Sequence, residues 1–276
     1  MKNVLVLTDF SENAKLASQV GIKISKKLNT AVTFLNLLST PVEWRNLPLE
    51  KEKLYPETKA AIGDARDKLF SLERESENAG VEAHTSLVFN LGIEEIYRYI
   101  NETHYSLVIM GTHGEKGKNK PVGSNTLKVI HKSPIPVIAV RSGEKPDVPQ
   151  NWVIISDFME KSKAAFYRVL DTAKKLEARI QPLYLNTPDF FIETREIQER
   201  MKEITRQYPD MDINPLIINA FSEERGLDFY IESHECDLVG VIIHGPSGLN
   251  PFFRRNIMEN ILNKVDQPIL SINADL

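Results

Sequence analysis

The sequence predicts an α/β protein of two tandem domains, each a five-stranded, mostly parallel sheet flanked by helices. Three observations predict it. The chain repeats itself at domain length. Short apolar runs alternate with helix-period stripes in each copy. The composition, 42% hydrophobic and 26% charged over 276 residues, is that of an ordinary globular chain long enough for two domains.

The repeat is visible residue by residue. A shift of 148 places Asp9 on Asp157, Phe10 on Phe158, Glu12 on Glu160 and Lys15 on Lys163. The same shift carries Lys26-Lys27-Leu28 onto Lys174-Lys175-Leu176. Near the ends, SPIPVIAV (133–140) answers VDQPILSI (265–272) at a shift of 132, so the second copy is shorter by about 16 residues. The period is too long for a solenoid unit, which implies two domains, 1–145 and 146–276. The seam falls in RSGEKPDVPQN (141–151), where Gly143, Pro146 and Pro149 interrupt regular structure.

Within the first copy, Val4–Leu7 reads as a buried strand. Ala17, Val20, Ile24 and Leu28 follow at helical spacing. Val32–Leu38 is the second strand. A polar crossing marked by Pro41, Pro48 and Pro56 precedes a long helix striped by Ala61, Ala65, Leu69 and Leu72. Val81–Phe89 is the third strand; Ile93, Ile96, Tyr97 and Ile100 form the third helix; Leu107–Met110 is the fourth strand. A loop at 111–123 leads to a helix from about Ser124, and Val137–Val140 closes the unit. The second copy follows suit, with Leu227, Tyr230, Ile231 and His234 on its third helix and Ile257, Ile261, Leu262 and Val265 on its fourth. Such alternation implies parallel strands with right-handed crossovers and a ligand site at the strands' carboxyl ends.

The loop after the fourth strand carries the chemistry: VIMGTHGEKGKNKPVGSNTLKVI (108–130). Gly111 and Gly114 flank the turn leaving the strand, and Gly123-Ser124 begins the next helix. A helix N-terminus offers free amides and the positive end of a dipole, and glycines let a phosphate approach the backbone. Lys116, Lys118 and Lys120 add positive charge. Read as plain structure, the glycines are turn residues, Ser124 is an N-cap and the lysines are a solvated face. Two glycine clusters bracketing a basic loop favour phosphate binding over that alternative.

These features together resemble the tandem form of the universal stress protein family. They are a strand ending in Asp9-Phe10-Ser11, the Gly92 turn after the third strand, and an MGTHG…GS loop before a final Pro-Val-Ile-Ala-Val strand. The resemblance implies the adenine nucleotide alpha hydrolase-like fold and binding of ATP or AMP, with Mg2+ as the accompanying ion. It implies that Gly111, Gly114, Gly123, Ser124 and Asn125 hold phosphates and ribose, with His113 inside the same loop. Asp9 faces the nucleotide near ribose and adenine, the backbone at Leu37 and Leu38 meets the adenine edge, and Val88 to Gly92 forms another wall. It further implies that the copies pair through their last strands as an intrachain pseudo-dimer, and it leaves room for a homodimer and a protein partner the sequence does not identify.

Two departures from the family pattern stand out. Eight residues (115–122), not nine, separate Gly114 from Gly123. In the second copy, VIIHGPSGLNPFFRRNIMENI (241–261), the nine-residue spacing survives, but Ile242 replaces the first glycine and Arg255-Asn256 replaces Gly-Ser. A long side chain at Arg255 fills phosphate space, so the second copy is expected not to bind nucleotide. The rival reading is a nucleotide-free scaffold or apolar-ligand-binding interaction protein.

Other candidates read more plainly. Asp9 and Asp157, each alone at a strand end, are expected to cap the following helix or to meet a ligand rather than to catalyse. His113 and His244 share a slot, which suggests an imidazole bonded to backbone. His234-Glu235-Cys236, adjacent at a helix end, do not face one another. Trp44 and Tyr55 form part of a lid or cover the sheet.

Several function classes are excluded. No stretch approaches the length of a membrane span, and the N-terminus turns polar too early for a signal peptide. One cysteine, Cys236, cannot make an internal disulfide, and no Cys/His spacing suggests zinc. A net charge of -4 argues against a dedicated nucleic-acid binder. Neither G-x4-G-K-[ST], a G-x-G-x-x-G after the first strand, nor G-x-S-x-G occurs. A cytoplasmic regulatory protein is expected, with at most the slow hydrolysis or autophosphorylation known in some relatives.

Overall fold

The apolar runs of the first half become four parallel strands, β1 (Asn3–Thr8), β2 (Val32–Ser39), β3 (Ala83–Asn90) and β4 (Tyr105–Gly111), in the order β3-β2-β1-β4. This computed structural model describes residues 2–90, 94–102, 105–112, 123–141, 147–244, 261–262 and 264–276. The chain steps outward from β1 to β3, then returns to the other side of β1, so the order reverses between β1 and β4. Helices α1 (Glu12–Leu28), α2 (Leu49–Glu52), α3 (Pro56–Asn78), α4 (Glu94–Glu102) and α5 (Ser124–Lys132) lie between and after the strands. The crossing at 39–56 holds a 3₁₀ turn at Trp44–Asn46 besides α2, and Trp44 meets Tyr55 edge to face at 6.4 Å.

Local chemistry explains these bounds. Ser11 caps α1 by accepting from the Ala14 amide, and Asn29 ends the helix in the left-handed region. The buried stripe Ala14, Ala17, Val20, Ile24 and Leu28 turns α1 onto β1 and β4, while α3, opened by Pro56, packs on β2 and β3. β1 is buried from Val4 to Thr8, as strands covered on both faces must be.

Contacts divide the chain into two units: Met1–Val129 with Lys145–Asp147, and Ile130–Glu144 with Val148–Leu276. The second unit holds β5 (Val137–Val140), β6 (Asn151–Ile155), β7 (Arg179–Asn186), β8 (Leu216–Asn219), β9 (Leu238–Ile243) and β10 (Ile269–Asn273). Their order is β5-β10-β9-β6-β7-β8, all parallel except the antiparallel β5–β10 pair. Helices α6 (Lys163–Lys175), α7 (Thr194–Thr205) and α8 (Glu223–Ser233) accompany them. α8 stops one residue before the sequence reading: His234 is an extended C-cap whose ring stacks on Tyr230 at 4.4 Å.

Positions matched by the shift of 148 share backbone geometry. Phe10 and Phe158 both sit at positive φ (62° and 53°), as do Asn29 and Glu177 (50° and 51°). The Phe10 amide donates to Thr8 Oγ1 and the Phe158 amide to Ser156 Oγ, each at 3.1 Å. At the helix end the first copy uses Asn, which tolerates this region, and the second uses exposed Glu177. Replacing Glu177 with Gly should therefore stabilise the protein by roughly 0.5–1 kcal/mol, part of the 1–2 kcal/mol cost of the left-handed conformation. A rise in the urea midpoint at unchanged slope is the expected readout.

Candidate functional site

At the carboxyl ends of β2, β1 and β4, three segments predicted to act together lie on adjacent strands. Thr8 pairs with Asn36, Leu37 with Val88 and Leu7 with Met110, so Asp9, Leu37-Leu38 and Gly111 leave the sheet side by side. Leu37 and Leu38 are half-buried and Val88 is buried. The Asp9 turn is fixed by its own polar groups, with Asp9 Oδ1 accepting from the Ser11 amide at 3.1 Å. Asn36 Nδ2 donates to the Thr8 carbonyl at 2.8 Å. The Asp9 carboxylate is otherwise exposed.

The helix that follows β4 is anchored at its first turn. Thr126 Oγ1 donates to the carbonyls of Gly111 and Thr112 at 3.3 and 3.2 Å, and the Gly123 amide donates to the Thr112 carbonyl at 3.2 Å. These bonds bring the start of α5 back to the end of β4, with Gly123 and the Ser124 and Asn125 backbone at the helix N-terminus. The two described glycines differ. A Cβ on Gly111 would lie 2.8 Å from Asn13 Cβ and 3.1 Å from the Ala14 nitrogen, so Gly111 is small because α1 crosses it. Among the described residues, a Cβ on Gly123 would meet Thr112 O and Thr126 Oγ1, both at 3.8 Å, which is ordinary contact. Gly92, His113, Gly114 and the lysines at 116, 118 and 120 lie outside the described residues, as do Arg254, Arg255 and Asn256.

The same place in the second unit is filled from within. Asp157, the counterpart of Asp9, is 1% exposed. Its Oδ1 accepts from Ser162 Oγ at 2.5 Å and from the Met159 amide at 3.1 Å. Its Oδ2 lies 3.1 Å from His244 Nε2, and His244 Nδ1 lies 3.3 Å from Asp275 Oδ1. The sequence reading of His244 as an imidazole bonded to backbone is corrected: its partners are two carboxylates and a serine. Asp275 had no sequence signal, since it reaches His244 only through the parallel β9–β10 pairing. Beside this cluster the loop after β7 is tied down. Tyr184 OH donates to the Phe190 carbonyl at 3.0 Å, and the Ile192 amide donates to Asn186 Oδ1 at 3.1 Å. Asn186 Nδ2 reaches Asn219 Oδ1 at 2.9 Å.

The electrostatics follow from these contacts. Burial alone pushes the Asp157 carboxyl up, but the hydrogen bonds from His244, Ser162 and the Met159 amide outweigh it and hold it below its ordinary value. Burial pushes His244 down, and the two carboxylates outweigh that and hold it above its ordinary value. Cys236 is pushed up to about 11 by burial, so it is not a reactive thiolate. No cluster of three or more metal-ligating side chains occurs among the described residues. No helix among them is long and apolar enough to cross a membrane.

Parallel strands, a reversal of strand order and an anchored helix N-terminus beside it define an α/β protein of the doubly wound kind. A model of the Universal stress protein family matches residues 1–141, and the chain belongs to that family. It is similar to Universal stress protein MJ0577 of Methanocaldococcus jannaschii, 28% identical over 154 residues, 51% of this chain and 94% of the relative. Universal stress protein MJ0531 of the same organism is 25% identical over 146 residues, 52% of this chain and 84% of the relative. The crystal structure of a universal stress protein from Archaeoglobus fulgidus covers 99% of this chain and 98% of its own, with a TM-score of 0.75 at 15% identity, a likeness of fold.

The two aspartates should respond differently to removal. Asp9→Ala should cost at most about 1 kcal/mol, the net worth of one partly exposed hydrogen bond. Asp157→Ala should cost about 3–5 kcal/mol, because it leaves a buried imidazolium without its main partner. The cluster's pH dependence has two sides. The raised His244 contributes fully below its unfolded value of 6.5, and that contribution is lost as pH rises through the folded value. The lowered Asp157 contributes above its unfolded value of 3.8, and that is lost as pH falls through the folded value. The stability difference between wild type and Asp157→Ala, followed by urea unfolding, should therefore be largest between these two values and shrink on either side.

Proposed function

We propose that the first unit binds an adenine nucleotide, ATP or AMP, at the carboxyl ends of β1, β2 and β4, and that the second unit is a copy which no longer does. The observation that carries this is the contrast between the two aspartates. Asp9 is exposed beside a helix N-terminus, whereas Asp157 is consumed by His244, Ser162 and the Met159 amide.

The residues present fit such a ligand. Among the described residues Gly123 has no neighbour that requires a glycine, which supports room for a phosphate beside it. The amides of Ser124 and Asn125 and the dipole of the nine-residue α5 favour negative charge there. Asp9 would accept from the ribose hydroxyls, and the half-buried Leu37-Leu38 backbone would border the base. When Mg2+ accompanies the nucleotide, it offsets phosphate charge. The reading implies a regulatory consequence, in which the bound nucleotide changes a surface read by a protein partner in the cytoplasm.

The test begins with the nucleotide carried by the purified protein, by denaturation, chromatography and a count of adenine per chain. About one adenine per chain is expected. Two would mean that the second unit binds as well. None, even after incubation with Mg-ATP, would favour a nucleotide-free scaffold. Two glycine variants locate the site. Gly123→Asp should weaken ATP binding in equilibrium dialysis by a hundredfold or more while the thermal midpoint stays close to wild type, since a Cβ there makes only ordinary contacts with the described residues. Gly111→Ala should instead cost stability, roughly 1–3 kcal/mol for overpacking against α1. Unchanged affinity in Gly123→Asp would place the ligand elsewhere.

A further inference from the structure

The second unit carries a groove that plays no part in the nucleotide site. It runs between α7 and β8, has a volume of about 500 Å³, and is lined from the helix by residues between Thr194 and Thr205 and from the strand by Leu216, Ile217 and Asn219. Successive residues of a strand point to opposite faces of a sheet. A cavity touching both Leu216 and Ile217 therefore lies along the edge of β8 itself.

That edge is open. β8 ends the strand order, with β7 its one strand neighbour among the described residues. The Ala220 amide donates to the Asn186 carbonyl, toward β7. In a parallel ladder the N–H and C=O of alternate residues face alternate sides, so Leu216 and Ile218 also face β7. Ile217 and Asn219 then present their backbone N–H and C=O away from it, and both line the groove. Unpaired backbone groups on a strand edge are a template for another strand.

The helix wall supplies a charge. α7 carries six charged residues, and five are paired: Arg195 with Glu199, Glu196 with Arg200, and Glu203 with Lys163. Lys202 is the sixth. It is exposed, lines the groove, and has no ion-pair partner among the described residues. Pro215, Leu216 and Ile217 across from it offer an apolar wall.

We propose that this groove takes an extended segment of another polypeptide, which adds as a strand to β8 and places a carboxylate side chain on Lys202. Main-chain bonds to Ile217 and Asn219 give the binding, the apolar wall takes an alternate side chain, and Lys202 selects for Asp or Glu. β8 spans about 13 Å at the ~3.3 Å rise of a parallel strand, so the segment paired is about four residues long.

The test uses dye-labelled pentapeptides of alternating valine and threonine, carrying one aspartate or one lysine at each position in turn, titrated with the full chain by fluorescence anisotropy. The best aspartate peptide should bind at least tenfold more tightly than its lysine counterpart, and Lys202→Glu should reverse that order. Ile217→Pro removes one outward N–H at an edge position where proline is tolerated. It should weaken binding tenfold or more with an unchanged thermal midpoint. The proposal is overturned if no peptide of the set saturates, if an aspartate peptide N-methylated along its backbone binds as well as its parent, or if both variants bind like wild type. Self-association in sedimentation without peptide, abolished by Ile217→Pro, would assign the edge to a second copy and overturn it too. Adenine content in the same preparations reports the nucleotide site separately, so the two readings fail independently.

Discussion

Burial of a parallel ladder on both faces is the constraint from which the rest follows. Val4 to Leu7 and Leu238 to Ile243 are buried from end to end, so their side chains have no access to ligand and their backbone groups are spent on neighbouring strands. Parallel strands must be joined by crossovers, and helices cover both faces. Polar chemistry is left the strand ends. There the chain turns sharply enough to hold a non-glycine residue at positive φ, Phe10 in one unit and Phe158 in the other. The aspartate before each is thrown to the carboxyl end of the sheet because the turn demands it.

What each unit does with that aspartate depends on whether the carboxylate remains in water. A buried carboxylate needs hydrogen bonds and a counter-charge. In the second unit Ser162 stands where the first has Ala14, and His244 reaches in from the end of β9, so three donors meet one carboxylate. Asp275 completes the set from the end of β10 and satisfies the far side of the imidazole. The cluster behaves as an internal ligand. Its members are interdependent: with alanine in place of Ser162, Asp157 would lose its shortest bond, and without His244 it would be a buried anion.

The fold was legible in the sequence because it depends on patterns that survive divergence. Apolar runs at Val4–Leu7 and Leu107–Met110 predicted strands to within one or two residues at each end, and Gly123-Ser124 marked the start of α5. The shift that matches Phe10 to Phe158 also matches their backbone, since both sit at positive φ. The internal cluster was only half legible. Asp157 and His244 were singled out, but their contact spans 87 positions and Asp275 a further 31 from His244, and no local spacing encodes such a meeting. The open edge of β8 was hidden too, because a four-residue strand looks the same in sequence whether it is central or terminal.

The glycines of the phosphate-loop pattern show how one motif can mix two physical requirements. Gly111 is needed by the protein: α1 passes so close that a methyl group would collide with Asn13. The second unit has Ile242 at that position, buried at the same strand end, and the helix after β6 begins differently. Its first turn is a 3₁₀ turn at Glu160–Ser162, and the α-helix proper starts only at Lys163. With that first turn rewound, Ser162 donates to the Asp157 carboxylate rather than capping the helix with its side chain. Gly123 meets no such neighbour among the described residues.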